Sequence, residues 1–343
     1  MKTALITTTI NVPEVLRLYR KLDSDVRFFV AGDLNSPHEP ISELCEQIGN
    51  SLYIHPEDQQ QYKCSALVGW RNIQRRNIAL LEALKWGATH IYSVDDDNSP
   101  IDRNHFANMR HGFNEFDGLQ VSALGGWVDT GAFLIMPARQ RGIPHDAVTD
   151  WDVKPVVAAK VGVVAGACLG DPDVSAVDRI SKHPYVAGGH PLARAGFVID
   201  PSVWTVFNSQ NTAFVRDLAP CMFMLPHIGR YDDIFASLIT QRVMHEHGYH
   251  VHFGKPFVWQ SRNEHNLLTD LKAEIFGMER VDKLARCLDA ITLPPGSPVI
   301  QFRKIVTFID EMQIGDELLP KQTIEAMKAW ADDVEQAMTE LPL

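Results

Sequence analysis

The first hundred residues alternate between strand-like apolar runs and segments whose apolar residues follow helical spacing. The strand-like runs are residues 4–8, 26–30, 52–54 and 90–94, and the helix-like segments are residues 12–22 and 70–86. This alternation predicts a mainly parallel sheet flanked by helices, with ligands gathering at the carboxyl ends of the strands. Residues 324–338 carry a further helical pattern, which predicts a C-terminal helix that covers the domain or contacts another copy. We therefore expect an α/β, Rossmann-like fold with a C-terminal helical segment.

One strand-like run ends at three consecutive aspartates, Asp95, Asp96 and Asp97. Packing does not explain them, because burying unpaired charge is costly. Asp95 and Asp97 are separated by one residue and can bind the same divalent cation, which keeps coordination positions open for substrate phosphates. The alternative is an acidic turn between a strand and a loop. The Asp-x-Asp pattern is typical of nucleotide-sugar enzymes with the GT-A fold, so we predict a Mn2+ or Mg2+ site here.

A late histidine or aspartate often completes the metal shell in GT-A enzymes, which makes His265 the candidate third ligand. Asp33 ends the second strand-like run and is expected at the same edge of the sheet as the aspartates. Arg71, Arg75 and Arg76 precede the metal-like strand, and planar guanidinium groups suit phosphate recognition. A solvated basic helix face explains three such arginines equally well. Arg75 and Arg76 are our candidates for binding the substrate.

Later motifs add candidates for the sugar end of a substrate. Asp173 lies in a Gly-Asp-Pro-Asp turn, which turn chemistry alone could explain. The Asn211 amide suits hydrogen bonds to sugar hydroxyls, although amides bond to loop backbone at least as often. Asp232 and Asp233 open an apolar helix, where one acid would suffice to cap the helix and complement its dipole. One of the two is therefore a candidate base or hydroxyl-binding group.

Composition limits the function classes. The chain has 343 residues and a net charge of −11, which argues against a nucleic-acid surface and requires a local positive site for any anionic substrate. The N-terminus lacks the apolar core of a signal peptide, and no stretch approaches the ~20 apolar residues of a membrane span. The five cysteines contain no Cys-x-x-Cys pair, so free thiols in a reducing cytoplasm are expected. No Gly-x-Gly-x-x-Gly or Walker motif is present.

Taken in order, these motifs resemble those of the reversibly glycosylated polypeptide family, the nucleotide-sugar pyranose–furanose mutases that include plant UDP-arabinopyranose mutase. The resemblance extends over nearly the whole length, and the Gly-Arg-Tyr-Asp-Asp segment is its most specific part. The matching segments are residues 94–97, Pro172-Asp173 with Ala176, residues 211–214, Gly229 to Asp233, and Ala326-Met327 with Trp330. The resemblance implies a GT-A-like fold, a UDP- or GDP-sugar substrate, and catalytic roles for Arg230, Asp232 and Asp233.

Two departures from the family stand out. Plant members carry an arginine shortly before the Pro-Asp segment that becomes glycosylated, but the equivalent position here is near Val156. No arginine lies between Arg141 and Arg179. Gln260 stands where the family tends to have histidine. In addition, residues 70–77 and 208–212 resemble the STELLO-type putative glycosyltransferases, which keeps a transferase open as an alternative.

We predict one GT-A-like catalytic domain over residues 1–343. Residues 1–100 would form the nucleotide-binding half, 101–270 the sugar and metal half, and 271–343 a helical extension. The expected function is metal-dependent interconversion of the pyranose and furanose forms of a nucleoside diphosphate sugar. A glycosyltransferase with the same donor site is the first alternative, and a non-catalytic nucleotide-sugar binder the second. The protein would act in the cytoplasm on a small-molecule substrate, without nucleic acid, with a homo-oligomer as an open question.

Overall fold

The structure, a computed structural model, describes residues 1–182, 184–261, 266–312 and 318–340. The strands are β1 (Thr3–Thr9), β2 (Arg27–Gly32), β3 (Ser51–Ile54), β4 (His90–Val94), β5 (Asn98–Pro100), β6 (Phe116–Ser122), β7 (Asp152–Ala159), β8 (Val161–Gly170), β9 (Phe197–Ile199), β10 (Asn211–Val215) and β11 (His250–Gln260). The helices are α1 (Leu16–Leu22), α2 (His38–Ile48), α3 (Lys63–Val68), α4 (Arg76–Lys85), α5 (His105–Gly112), α6 (Ala176–Lys182), α7 (Pro191–Ala195), α8 (Asp232–Glu246), α9 (Leu267–Met278), α10 (Val281–Asp289), α11 (Pro298–Glu311) and α12 (Lys321–Thr339).

The strands form one mixed sheet in the order β3-β2-β1-β4-β10-β8-β11-β9-β6-β7, with β5 paired to β11. The first four strands pair in parallel, as their alternation with helices predicts. β10 then runs antiparallel between β4 and β8, while β8 and β11 are parallel to each other. The α/β class is confirmed, but the sheet is more mixed than expected. Beyond residue 100 strands no longer alternate regularly with crossover helices, which parallel neighbours require.

Helices cover both faces of the sheet because side chains alternate between its faces along each strand. On β1, Leu5 packs with the side chains of α1, α2 and α5, whereas Ile6 packs with those of α4 and α8. Both faces are therefore buried: every residue of β1 and β8 is buried, although β1 includes four threonines whereas β8 is apolar throughout. Four of the five cysteines are buried in this interior.

The C-terminal helices pack on the α4 side of the sheet. Trp330 on α12 is fully buried, stacks on Phe223 and donates from its indole nitrogen to the carbonyl of Pro220 at 2.8 Å. α12 spans the predicted helical segment with a few residues added at its start. Within the described residues, no helix combines the length and apolar character needed to cross a membrane.

One edge of the sheet collects the ends of its central strands. β1, β2 and β4 finish there, and β10 begins there because it runs in the opposite direction. β8 and β11, which run in the same direction as β4, also end at this edge. The segments that follow these strand ends carry most of the predicted site residues, so the sheet topology itself brings them together.

Residues 70–75 depart from the single helix that their apolar spacing predicts. α4 begins only at Arg76, and Ile73–Arg75 form a separate 3-10 turn. Arg71 has a left-handed backbone with φ 63°, and Gly69 has φ 76°. The chain therefore forms an irregular loop at the strand ends before α4 starts.

Candidate functional site

A cleft of about 530 Å³ opens at this edge of the sheet. Its wall contains seven aspartates and four arginines. The aspartates are Asp33, Asp95, Asp96, Asp97, Asp173, Asp232 and Asp233, and the arginines are Arg71, Arg76, Arg141 and Arg230. Acidic motifs separated by up to 200 residues in the sequence thus share one cavity, of the size that small-molecule ligands occupy.

The three consecutive aspartates have different partners. Asp95 pairs with Arg76 at 2.5 Å between Oδ1 and Nη2. Asp96 accepts a hydrogen bond from the Thr9 hydroxyl at 2.5 Å, and burial raises the pKa of its carboxyl above the ordinary value. Asp97 accepts from the Gln260 amide at 3.4 Å, so the residue at the position of the family's histidine contacts the triplet directly.

Asp95 and Asp97 are chemically suited to hold a divalent cation. Both carboxylates line the cleft, and carboxylate oxygen is the ligand that Mn2+ and Mg2+ favour. Within the described ranges, no three His, Cys, Asp or Glu side chains are grouped as a complete metal site. Two protein carboxylates with the remaining positions taken by phosphate oxygens and water match this donor set. His265, the predicted third ligand, lies outside the described residues.

The arginines of the 71–76 segment have three different environments. Arg75 is a correction: it does not line the cleft but is buried, with its guanidinium bonded to the Ser65 hydroxyl and carbonyl at 3.0 and 2.8 Å. Burial lowers the pKa of Arg75 to about 10. Arg76 does line the cleft, but its two terminal nitrogens are bonded to Asp95, Ser93 and Ser209. It therefore orients Asp95 and has little capacity left for a ligand.

Asp33 organises the loop that carries Arg71. Its carboxylate accepts from the backbone amides of Arg71 and Asn72, both at 2.8 Å, and from that of Leu34 at 2.6 Å. Asp33 therefore lies in the wall of the cleft and uses both carboxylate oxygens to hold the loop. Arg71 is exposed at the cleft, and no carboxylate of the described residues is recorded within ion-pair distance of its guanidinium.

Asp232 and Asp233 lie at the start of α8, and both face the cleft. Asp232 accepts from the Gln74 amide at 2.7 Å, and Asp233 accepts from the amide and hydroxyl of Ser209 at 2.9 and 3.1 Å. Their partners belong to other elements, so both residues do more than cap a helix. Burial, followed by the neighbouring charge of Asp233, raises the pKa of Asp232 to about 7.

Arg141 is the residue that the sequence patterns missed. It is buried and pairs with Asp173 at 2.9 Å from Nε and with Asp233 at 3.2 Å from Nη2. It also donates to the carbonyl of Arg230. Arg141 is one of four arginines in the Gly-, Ala-, Val- and Pro-rich segment 118–205, and no motif in the sequence distinguishes it from the others, so only the fold reveals its position.

Arg230 and Asp173, both predicted site residues, contact each other at 3.1 Å. Arg230 also pairs with Asp270 at 3.5 Å and Glu274 at 3.3 Å, both on α9. Residues of α9, assigned in part to a C-terminal extension by the sequence, thus support the wall of the cleft.

Asn211 is a second correction. It is fully buried at the start of β10 and outside the cleft wall, with its side-chain amide donating to the carbonyl of Pro256 at 2.9 Å. The backbone of Gly166 lies so close that an added Cβ would be 2.2 Å from the Asn211 amide nitrogen. Asn211 therefore joins β10 to β11 and does not face the cleft, whereas the preceding Gln210 does.

No protein-family model and no curated protein sequence matches this chain. Among solved structures, it is similar to glucosyl-3-phosphoglycerate synthase from Mycobacterium tuberculosis in complex with Mn2+ and UDP-glucose, with a TM-score of 0.42, 11% identity, and coverage of 85% of this chain and 80% of that one. It is also similar to S. aureus TarS 1–349 in complex with UDP-GlcNAc, with a TM-score of 0.40, 11% identity, and coverage of 98% and 90%. Similarity at this level says nothing about substrate or reaction.

Proposed function

We propose that this protein is a metal-dependent enzyme that interconverts the pyranose and furanose forms of a UDP- or GDP-linked sugar. The observation that carries the proposal is the presence of Asp95 and Asp97 in the same cleft as Asp232 and Asp233. The first pair suits a cation and a diphosphate, and the second pair suits proton transfer. A nucleotide sugar combines in one molecule a diphosphate, which binds a cation, and a sugar, whose hydroxyl can lose a proton.

The diphosphate end of the cleft would contain a Mn2+ or Mg2+ ion held by Asp95 and Asp97. When bound, such an ion stabilises the charge that develops on a leaving diphosphate. Arg76 keeps the Asp95 carboxylate in place through their 2.5 Å contact. Arg71, exposed at the cleft, supplies a guanidinium for a phosphate group. This combination offsets the acidity of the cleft where an anionic substrate has to bind.

At the sugar end, ring exchange requires one proton to move between two sugar oxygens. The bond from C1 to the diphosphate breaks with its electron pair on the diphosphate, and the 4-hydroxyl bonds to C1 while Asp232 takes its proton. The original ring oxygen then leaves C1 and receives that proton from Asp232 as the diphosphate bonds to C1 again. A carboxyl with a pKa of about 7 can accept and return a proton at neutral pH.

This sequence of steps requires no covalent sugar–enzyme bond. The position near Val156, equivalent to the family's glycosylated arginine, lies on strand β7 and outside the wall of the cleft. Arg141 does reach the cleft, but its guanidinium is held by Asp173 and Asp233. Retention of the diphosphate next to the sugar makes its return effectively intramolecular.

A glycosyltransferase is the second candidate, because the position of Asp232 in the cleft also suits removal of a proton from the hydroxyl of an acceptor. The donor site would be the same. The two functions differ in the final bond: a mutase rejoins the sugar to the diphosphate, whereas a transferase joins it to a second molecule.

The test is incubation of the purified protein with Mn2+ and individual UDP- and GDP-sugars, with products identified by NMR. A new isomer formed without an acceptor is expected. The Asp97→Ala variant, prepared in the same way, controls for contaminating enzymes. Hydrolysis alone, or turnover that appears only with an added acceptor, would overturn the mutase in favour of a transferase. Binding without any turnover would support a nucleotide-sugar binder.

A further inference from the structure

Gln74 connects two parts of the cleft that are far apart in sequence. It lies in the Ile73–Arg75 turn, is buried, and lines the cleft. Its side-chain nitrogen donates to Oδ2 of Asp232 at 2.7 Å. The turn belongs to the half of the chain that the sequence predicts to bind the nucleotide, and Asp232 begins α8, 158 residues later. The catalytic steps proposed above make no use of this contact.

We propose that Gln74 is a positioning residue for Asp232, holding one carboxylate oxygen by its amide so that the other is left for the substrate. This inference rests on the proposed function only where it predicts an effect of Gln74 on turnover. The contact itself, and its effect on Asp232, are properties of the protein without any ligand.

The turn is well suited to hold a side chain in a fixed position. On one side, the Asp33 carboxylate binds the backbone amides of Arg71 and Asn72. On the other side, the Arg75 guanidinium is bonded to Ser65 and lies 4.0 Å from the ring centre of Trp70. Asp33 and Arg75 thus fix the segment that presents Gln74.

The neutral amide is the right chemical type for a carboxyl that has to gain and lose a proton. The charged groups acting on Asp232 are Asp233 on the same turn and Arg141 from the opposite loop. Burial and Asp233 raise its pKa, whereas Arg141 and the Gln74 amide lower it. A lysine in place of Gln74 would favour the ionised form strongly, and a glutamate would oppose it. An amide orients the carboxylate and shifts its proton affinity only modestly.

The experiment follows the Asp232 carboxyl by NMR in the full-length protein labelled with 13C at the aspartate Cγ atoms. The resonance is assigned with Asp232→Asn. Two variants remove the donor: Gln74→Ala, and Gln74→Met, which keeps the side-chain volume and guards against misfolding. Gln301→Ala is the matched control, because Gln301 on α11 is also buried and hydrogen-bonded, but its partners are His247, just after α8, and Pro294, just before α11.

We expect the titration midpoint of Asp232 to rise by about one pH unit in both Gln74 variants, because a hydrogen bond to the charged form is lost. It should stay in place in Gln301→Ala. An Asp232 midpoint that is unchanged in a folded Gln74→Met variant would overturn the proposal.

The pH dependence of turnover is a second measurement, and it should not change if Gln74 has a purely structural role. The pH at which kcat is half-maximal should rise with the NMR midpoint, while KM changes little. If no nucleotide sugar is turned over by the wild type, the proposed function fails but the NMR result still decides the role of Gln74. A fall in substrate affinity with an unchanged pH profile would make Gln74 a binding residue and overturn the positioning role.

Discussion

Arg141 and Asp173 form a buried ion pair, with Nε and Oδ2 separated by 2.9 Å. The same guanidinium reaches Asp233 and the backbone of Arg230. Three segments that the sequence separates by up to about ninety residues are thereby joined in the wall of the cleft. Both acids are buried, and Arg141 is the cation they share, while Asp173 pairs in addition with Arg230 at 3.1 Å.

Arg141→Met should therefore destabilise the fold. Removing one partner of a buried pair leaves uncompensated charge, which typically costs about 3–5 kcal/mol. Urea unfolding at neutral pH measures the effect. Arg286→Met is the control, because Arg286 pairs with Asp282 in an exposed i, i+4 contact that is worth little. Equal stability of the two variants would show that Arg141 does not hold the cleft together.

Asp97→Ala should abolish Mn2+-dependent turnover and leave the fold intact, because it removes a charge from an acidic site and no core side chain. Binding of Mn2+ by electron paramagnetic resonance and turnover are measured on the same preparation. The exposed Asp146→Ala variant serves as the control. Full activity of the wild type in excess chelator would exclude the metal site.

Arg71→Gly separates ligand binding from stability. Glycine takes a φ of 63° without steric cost, which compensates for its greater freedom in the unfolded chain, so the free energy of unfolding should stay within about 1 kcal/mol of wild type. Calorimetry should show an affinity for the nucleoside diphosphate about tenfold lower or more, with the free nucleoside unaffected. The exposed Arg103→Ala variant is expected to change neither quantity.

These arginines show where sequence prediction reaches its limit. Arg71, Arg75 and Arg76 look equivalent on a regular helix. In the structure, Arg71 has a left-handed backbone, Arg75 is buried against Ser65, and Arg76 pairs with Asp95. The distinction depends on Asp33, which comes from another strand and breaks the helical pattern through backbone contacts. Local periodicity contains no information on such a contact.

The strands of the first hundred residues were predictable because their pattern is local and does not depend on contacts with distant residues. β1, β2 and β4 are buried on both faces along nearly their whole length, so each contains consecutive apolar residues, at 4–6, 28–31 and 91–92. The acidic motifs at their ends were found because unpaired charge after such a run has few structural explanations. Segment 118–205 has no comparable period, and Arg141 within it becomes recognisable only when Asp173 and Asp233 are brought beside it.

Asp232→Asn should lower turnover by ~10²–10⁴ if Asp232 is the proton acceptor. The same variant should be more stable than wild type at pH 8. The folded pKa of about 7 is above that of the unfolded chain, so the folded protein holds its proton more tightly, and stability falls as pH rises from about 4 to 7. Asparagine removes this loss. Urea unfolding at pH 5 and pH 8 should show that the variant's gain in free energy of unfolding is larger at pH 8. A gain that is the same at both pH values would show that it does not come from the Asp232 proton.

The last prediction concerns the arginine that this chain lacks. Ring exchange should proceed without a lasting sugar–protein bond, because the segment before Pro172 offers only Lys154 and Lys160 as basic residues, and Lys154 is paired with Asp200 at 2.8 Å. Lys160 lies over the ring of Tyr249, and neither lysine lines the cleft. Intact-protein mass spectrometry during turnover should therefore show the unmodified mass while the sugar isomerises. A stable mass increase of one sugar, mapped by peptide analysis to any side chain, would show instead that a covalent route operates through a nucleophile other than the family's arginine.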